Sequence, residues 1–90
     1  MPHVSFTPHL RRFFPDLADG AFAGATVREL IADANRRPPG LASYIVDDTG
    51  RLRRHVNVFI GVEPIADRAT LGDAVGPDDK VSILQALSGG

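Results

Sequence analysis

The sequence DKVSILQALSGG, residues 79–90, joins a strand pattern to a tail of small residues. Val81 and Ile83 recur at a period of two, which is the side-chain period of a β-strand with two different faces. We therefore predict a strand over residues 80–87. Residues 88–90 are Ser-Gly-Gly, and since none of their side chains can anchor the backbone, we expect a mobile tail.

A second strand is predicted from HVNVFI at residues 55–60, where valine and isoleucine alternate with other residues. This aliphatic face is expected to meet a helix, together with the aliphatic face of the last strand. Phe59 and Leu84 then point to the opposite, open face of the sheet. Single exposed apolar residues are ordinary, but two large ones beside the tail favour a surface that binds a partner.

The helix that covers this sheet is predicted over residues 26–37. Thr26 is placed to cap its first turn, and Glu29, three residues further on, completes a capping box. Residues 38–40 are Pro-Pro-Gly, which ends the helix because proline cannot donate a backbone hydrogen bond. The apolar face follows the spacing i, i+3, i+4, i+7. It consists of Val27, Leu30, Ile31 and Ala34.

The rest of the chain carries weaker signals. The content of β-branched and aromatic residues predicts a first strand at residues 3–7, which Pro8 ends, and a weaker second strand at residues 17–23. A turn of helix is predicted at residues 71–75, before the chain reverses at residues 76–79. Two apolar connections are expected to lean on the core: residues 9–15 and residues 41–46.

Together these elements predict an α+β fold, with a mixed sheet of about four strands and one main helix on one face of the sheet. A chain of 90 residues is an ordinary size for one domain. We therefore expect a single domain over residues 1–87, followed by the tail at residues 88–90. The sequence contains no cysteine, which excludes both disulfides and a thiolate site.

The charge balance narrows the possible partners. The net charge is −1, from 10 basic and 11 acidic residues, and this argues against binding to nucleic acid or to anionic membranes. The N-terminal residues lack the pattern of a secretion signal, and no apolar run approaches the roughly 18 residues of a membrane span. We therefore expect a cytoplasmic protein. His3, His9 and His55 lack the spacing of metal ligands, and no residue pattern indicates catalysis by the chain itself.

The sequence resembles the sulfur carriers of molybdopterin, thiamin and cysteine biosynthesis, which share the β-grasp fold of ubiquitin. Residues 79–90 look like the closing strand and diglycine tail of that family, residues 56–60 like the strand before it, and residues 24–30 like the start of its helix. The three matches occur in the family's order. The long connection at residues 38–54 makes the chain resemble the larger carriers, including the cysteine-biosynthetic type, more than the compact thiamin type.

The resemblance implies a chemistry that takes place at the carboxyl group of Gly90. An E1-like adenylyltransferase and sulfurtransferase would use ATP to adenylate this carboxylate, and sulfur would then convert it to a thiocarboxylate. Ser88 and Gly89 would form the tail that enters the partner's active site. The chain itself would bind no cofactor and no metal.

The resemblance also implies partners. Phe59, Leu84 and Leu87 would dock the folded body on the activating enzyme or on the sulfur acceptor. That acceptor would be a pyridoxal-phosphate-dependent cysteine synthase in the cysteine-biosynthetic type, or the large subunit of molybdopterin synthase in the molybdopterin type. Two alternatives stay open. The same tail is compatible with a ubiquitin-like modifier joined through Gly90 to lysine side chains, and a chain with neither chemistry would be a plain interaction domain.

Overall fold

The structure is a computed structural model that describes residues 1–36 and 39–85. Five strands form one mixed sheet in the order β2-β1-β5-β3-β4, where the sequence predicts about four. Three helices accompany it within the described residues. In chain order the elements are β1 (His3–Phe6), α1 (Pro8–Phe13), β2 (Gly20–Ala21), α2 (Val27–Ala34), α3 (Ala42–Ile45), β3 (Val56–Ile60), β4 (Glu63–Pro64) and β5 (Lys80–Gln85).

The last strand, β5, occupies the centre of the sheet. It pairs in parallel with β1, with Val4 opposite Val81, and antiparallel with β3, with Val58 opposite Ile83. A parallel neighbour requires a long crossover connection, and here that connection contains every other element of the fold. The first and last strands therefore lie side by side. Because they run in the same direction, the carboxyl end of β5 lies near the carboxyl end of β1, where α1 begins.

The two predicted faces of the sheet are confirmed. Val56, Val58, Val81 and Ile83 are each 1% exposed, and Ile60 is partly buried against the same core. Fully burying one such aliphatic side chain stabilises a fold by about 1.5–3 kcal/mol. The core-facing side chains of α2 belong to the same cluster, so this helix covers one face of the sheet: Val27, Leu30, Ile31 and Ala34.

The predicted start of the main helix is also confirmed. Thr26 Oγ1 accepts a hydrogen bond from the Glu29 amide at 3.3 Å, and Glu29 Oε1 accepts one from the Ala25 amide at 2.8 Å. Gly24 precedes this cap with φ at +156°, and a Cβ on it would lie 2.9 Å from the Leu30 nitrogen. The chain can therefore turn into the helix only where residue 24 has no side chain.

The helix ends earlier than the prediction, at Ala34 rather than at residue 37. The cause is Asn35, whose side-chain Oδ1 accepts hydrogen bonds from the Gly40 amide at 3.0 Å and the Ala42 amide at 2.9 Å. These hydrogen bonds hold the turn that follows, which leads into α3, against the end of α2. Asparagine side chains often compete with helix formation in this way, because they bond to nearby backbone groups. Arg37 and Pro38 lie outside the described residues.

The turn of helix predicted at residues 71–75 is wrong. Leu71 has a φ of +57° and is only 2% exposed. Its carbonyl accepts a hydrogen bond from the Arg28 amide at 2.9 Å, and the Asp73 carbonyl accepts one from the Val27 amide at 3.1 Å. These two amides belong to the first turn of α2, where backbone N–H groups have no acceptor within the helix. The backbone of this segment therefore supplies hydrogen-bond acceptors for the start of α2 and forms no helix of its own.

One other prediction needs correction, that of the strand at residues 17–23, and two others are confirmed in more detail. Pro8 does end β1, but it also begins α1, because proline fits the first position of a helix, where its missing N–H is not needed. The predicted strand at residues 17–23 is reduced to Gly20–Ala21. The connection at residues 41–46 contains the short helix α3, with Ile45 fully buried.

Asp67 and Asp73 hold the segment that completes α2. Asp67 accepts hydrogen bonds from the amides of Ala69, Thr70 and Gly72 and from the Thr70 hydroxyl. The hydroxyl and amide of Thr70 are the main cause that lowers the pKa of Asp67 to about 2 from its ordinary value of 3.8. Asp73 accepts from the amides that precede it, Ala66 and Asp67, at 3.0 and 2.8 Å.

The lowered pKa of Asp67 predicts a pH-dependent stability. The carboxylate stabilises the fold above a pH of about 4, and this contribution is lost as the pH falls towards about 2. Asp67→Asn should therefore lower the midpoint of urea unfolding at pH 7, and the difference from the unsubstituted protein should shrink between pH 4 and pH 2. Asp78→Asn, in an exposed turn, is the control and should show little change at either pH. Equal midpoints for Asp67→Asn and the unsubstituted protein at pH 7 would refute this role.

Candidate functional site

The predicted reactive tail continues from the end of the central strand. Gln85 is the last residue of β5 and is paired with Val56 of β3. β1 pairs with β5 only as far as Ile83, so β3 is the strand that holds Gln85 in place. The predicted site residues Leu87, Ser88, Gly89 and Gly90 all lie outside the described residues.

Phe59 and Leu84 lie on the same face of the sheet, opposite the core. Phe59 is paired with Ser82 and Leu84 with Asn57, which makes Phe59 and Leu84 diagonal neighbours, about 7–8 Å apart in such a ladder. Leu84 is 44% exposed. Phe59 is less exposed, since it is half-buried and lies beside Pro64 of β4. We refer to Asn57, Phe59, Ser82 and Leu84 as the open-face patch.

The polar members of the open-face patch are uncharged. Ser5 Oγ of β1 donates a hydrogen bond to Ser82 Oγ at 3.4 Å. Asn57 Oδ1 accepts a hydrogen bond from Arg68 Nη1 at 3.3 Å. The patch therefore offers a partner one exposed leucine, one half-buried phenylalanine and neutral hydrogen-bonding groups, which suits a contact with an apolar surface.

Arg68 has a role that the sequence does not reveal. Its Nη2 donates to the carbonyl oxygens of Arg53 at 2.8 Å and Val56 at 2.9 Å. A guanidinium group has several donors in a fixed plane, so one side chain can hold two carbonyls at once. Arg68 thereby fixes the turn that leads into β3. No local pattern indicates this role, because the donor and its acceptors are more than ten residues apart in the chain.

Asp47 and Asp19 each accept hydrogen bonds from backbone amides. Asp47 Oδ1 accepts from the Thr49 hydroxyl at 2.6 Å and the Thr49 amide at 2.9 Å, and hydrogen bonding from Thr49 is the main cause that lowers its pKa. Asp19 pairs with Arg11 at 2.7 Å and accepts from the Phe6 amide at 2.9 Å. Partial burial raises the pKa of Asp19, but these hydrogen bonds outweigh it and the net pKa is lowered.

Two features are absent from residues 1–36 and 39–85. There, no group of three or more His, Asp or Glu side chains is placed to hold a metal ion. No helix in this part of the chain has the length and apolar character needed to cross a bilayer.

The sequence is similar to that of known carrier proteins. No model of a known protein family matches it. Over 70 residues it is 30% identical to the sulfur carrier protein CysO of Mycobacterium tuberculosis, and equally to that of Mycobacterium bovis, in an alignment that covers 76% of this chain and 75% of the relative. The chain belongs to the ubiquitin-like sulfur-carrier family. It is thus a small protein carrier rather than an enzyme.

Solved structures agree with this assignment. The chain matches a structure of the Amycolatopsis orientalis BexX/CysO complex with a TM-score of 0.85 at 29% identity, and the match covers 100% of both chains. It matches Mycobacterium tuberculosis CysO with a TM-score of 0.82 at 26% identity, over 97% of this chain and 100% of the other. SAMP1 of Haloferax volcanii follows with a TM-score of 0.76 at 25% identity, over 99% and 98%. The predicted family and the predicted β-grasp fold are both confirmed.

The two faces of β5 predict losses of stability of different size for neighbouring residues. Ile83→Ala removes a side chain that is 1% exposed and should lower the free energy of unfolding by about 2–5 kcal/mol. Leu84→Ala removes one that is 44% exposed and should lower it by about 1 kcal/mol or less. Urea unfolding followed by circular dichroism measures both. A loss for Leu84→Ala as large as that for Ile83→Ala would show that Leu84 belongs to the core and not to the open-face patch.

Proposed function

We propose that this carrier holds sulfur as a thiocarboxylate on Gly90 and donates it in cysteine biosynthesis. The observation that carries the proposal is the sequence similarity to CysO. In addition, Gly89 and Gly90 follow the end of the central strand by only four and five residues in the sequence. The chain has no cysteine, so no thiol of its own offers another place to carry the sulfur.

The proposed activation follows from the chemistry of a carboxylate. A terminal carboxyl group has a pKa of about 3.3–3.7, so at neutral pH it is an anion that nucleophiles attack poorly. An E1-like partner would let a carboxylate oxygen of Gly90 attack the α-phosphorus of ATP, and pyrophosphate would leave. A sulfide-level donor would then attack the acyl carbon. The C–S bond forms, the bond to AMP breaks, and the product is a thiocarboxylate.

The two glycines suit this reaction for a steric reason. A segment without Cβ atoms lets foreign backbone approach closely and can enter a narrow channel in extended form. In this scheme the chain binds no cofactor, and ATP is bound by the activating partner. The carrier contributes the carboxylate and a folded body for the partner to hold.

We propose the open-face patch, together with Leu87, as a surface that docks this body on partner enzymes. Leu84 supports the role because it is exposed and is the last residue but one of β5, the strand that leads to the tail. Phe59 contributes a smaller accessible area, since it is half-buried. A pyridoxal-phosphate-dependent cysteine synthase is the proposed acceptor. The CysO similarity and the long connection between α2 and β3 favour it over the large subunit of molybdopterin synthase.

A second candidate function is conjugation of Gly90 to lysine side chains. The similarity to SAMP1, a small archaeal modifier protein, favours it. The same adenylate would then be attacked by an amine, and the product would be an isopeptide-linked conjugate that survives denaturation. Such conjugates on a denaturing gel distinguish this function from sulfur transfer.

The absence of cysteine gives a direct test. The chain, tagged at its N-terminus so that Gly90 stays terminal, is expressed in its own cells, purified under denaturing conditions and treated with iodoacetamide at neutral pH. Because the sequence has no thiol, we expect an alkyl adduct on the thiocarboxylate sulfur only. A variant lacking Gly90 is the matched control and should give no adduct, while its circular dichroism spectrum and thermal midpoint stay unchanged.

Two results would contradict the proposal. One is an unlabelled chain from cells that are limited for sulfur-containing amino acids. The other is equal labelling of the variant without Gly90, since the reagent would then be reacting elsewhere.

A further inference from the structure

A second exposed surface lies where the central strand ends. Tyr44 of α3, Arg53 and His55 before β3, and Gln85 at the end of β5 line a concavity of about 410 Å³. Gln85 Oε1 is buried in its wall and accepts no hydrogen bond from any residue that the structure describes. The concavity therefore adjoins the point from which the tail continues.

Aromatic side chains extend this surface. The rings of Phe13 and Tyr44 lie 5.3 Å apart at 34°, and Phe14 packs edge-on against Tyr44 at 5.0 Å. Phe13 is nevertheless 52% exposed and Tyr44 36% exposed. Because the rings already support one another, a partner that covers them would immobilise few free rotamers. Such anchored aromatic residues are enriched at the centres of protein interfaces.

Basic residues lie beside the aromatic pair: Arg53 and His55 line the same concavity as Tyr44, and Arg54 stands between them in the sequence. Arg54 and His55 are exposed, and Arg53 is held in place by its Nε, which donates to the Ser43 carbonyl at 2.8 Å. Within residues 1–36 and 39–85 the salt bridges join Arg11 with Asp19 and Arg36 with Asp33. No carboxylate in this part of the chain therefore bridges Arg53 or Arg54. Asp47 shares a neighbouring concavity with Arg53, but its Oδ1 oxygen already accepts three hydrogen bonds.

We propose that Phe13, Tyr44, Arg53, Arg54 and His55, here called the end surface, bind the acidic rim of the active-site channel in the enzyme that activates Gly90. The expected partner surface carries carboxylate side chains around at least one apolar side chain. The inference rests on the proposed function, and it adds the chemistry of the partner's contact surface.

The length of the tail supports this placement. The segment from residue 86 to residue 90 spans at most about 18 Å when fully extended. A partner that holds Gly90 in its active site must therefore reach the folded body close to Gln85. The end surface adjoins this residue through the concavity that Gln85 itself lines.

Charge distinguishes the end surface from the open-face patch. The polar residues of the open-face patch are neutral, whereas the end surface carries two arginines and a histidine. Complementary charges steer association and fix orientation more than they add affinity. We therefore assign the orientation of the tail towards the channel to the end surface, whose aromatic pair adds an apolar contact, and a separate, uncharged contact to the open-face patch.

The test compares initial rates of thiocarboxylate formation. Purified carrier is incubated with ATP, sulfide and an extract of its own cells at low salt, and iodoacetamide labelling of this chain is followed with time. We expect the double variant Arg54→Glu/His55→Glu to be labelled about tenfold more slowly, because the charge that steers encounter is reversed. The deficit should shrink as salt is raised, since screening weakens attraction and repulsion alike.

Two further variants separate charge from apolar contact and from folding. Phe13→Ser should slow labelling by a factor that salt does not change. Arg36→Glu makes the same charge reversal as the Arg54→Glu part of the double variant, at an exposed position after α2, and should be labelled at the unsubstituted rate. Thermal unfolding of every variant confirms that the fold is intact.

The outcomes are distinct. If the unsubstituted carrier is labelled and Arg54→Glu/His55→Glu is labelled at the same rate at low salt, the end surface is not the docking site and the proposed function stands. If Arg36→Glu is slowed as much as the double variant, net charge and not the end surface governs the encounter, which also overturns the inference. An unlabelled unsubstituted carrier refutes the proposed function and this inference together.

Discussion

The hydrogen-bonded ladder between β1 and β5 is the constraint on which the rest of this fold depends. It is the parallel pair that brings the first and last strands together, and β3 pairs with β5 on its other side. Because side chains alternate along a strand, this register places Val81 and Ile83 in the core and Leu84 on the open face. A shift of one residue would reverse every one of these positions. The same register fixes Gln85 at the point where the tail continues.

The second constraint is non-local and joins the segment before β5 to the start of α2. Carbonyls of Leu71 and Asp73 accept from the first amides of the helix, and Asp67 supports the turn that presents them. A helix of eight residues is marginal by itself in water, so it depends on such caps and on its buried face. Sheet, helix and tail exit are therefore held by one connected set of contacts.

Local patterns predict the elements whose causes are local. The alternation in β3 and β5 and the capping box of Thr26 and Glu29 are visible in the sequence and are found in the structure. Elements whose partners are distant are predicted poorly. Residues 71–75 have the composition of a helical turn, but their hydrogen bonds go to α2 instead. Pro8 is compatible both with the end of a strand and with the start of a helix, and here it serves as both.

The same distinction applies to the site. Leu84 follows from strand alternation, whereas the partial burial of Phe59 depends on neighbouring strands. The end surface could not be predicted from the sequence, because Phe13 and Tyr44 are distant in the chain and come into contact only in the folded structure. The family follows from sequence because the last strand and the diglycine occur in the expected order. The pathway that receives the sulfur has no comparable local pattern.

The central claim is that Gly90 carries the sulfur, and the C-terminal tryptic peptide tests it most directly. Cleavage after Lys80 gives the peptide from Val81 to Gly90, which contains no Met, Cys or Trp. Oxidation of Met1 would add nearly the same mass as replacing oxygen with sulfur, but Met1 is not in this peptide. From untagged protein of its own cells, we predict a peptide heavier by that replacement, with fragment ions that place the change on Gly90. A peptide present only as the carboxylate in cells starved of sulfur-containing amino acids would contradict the account.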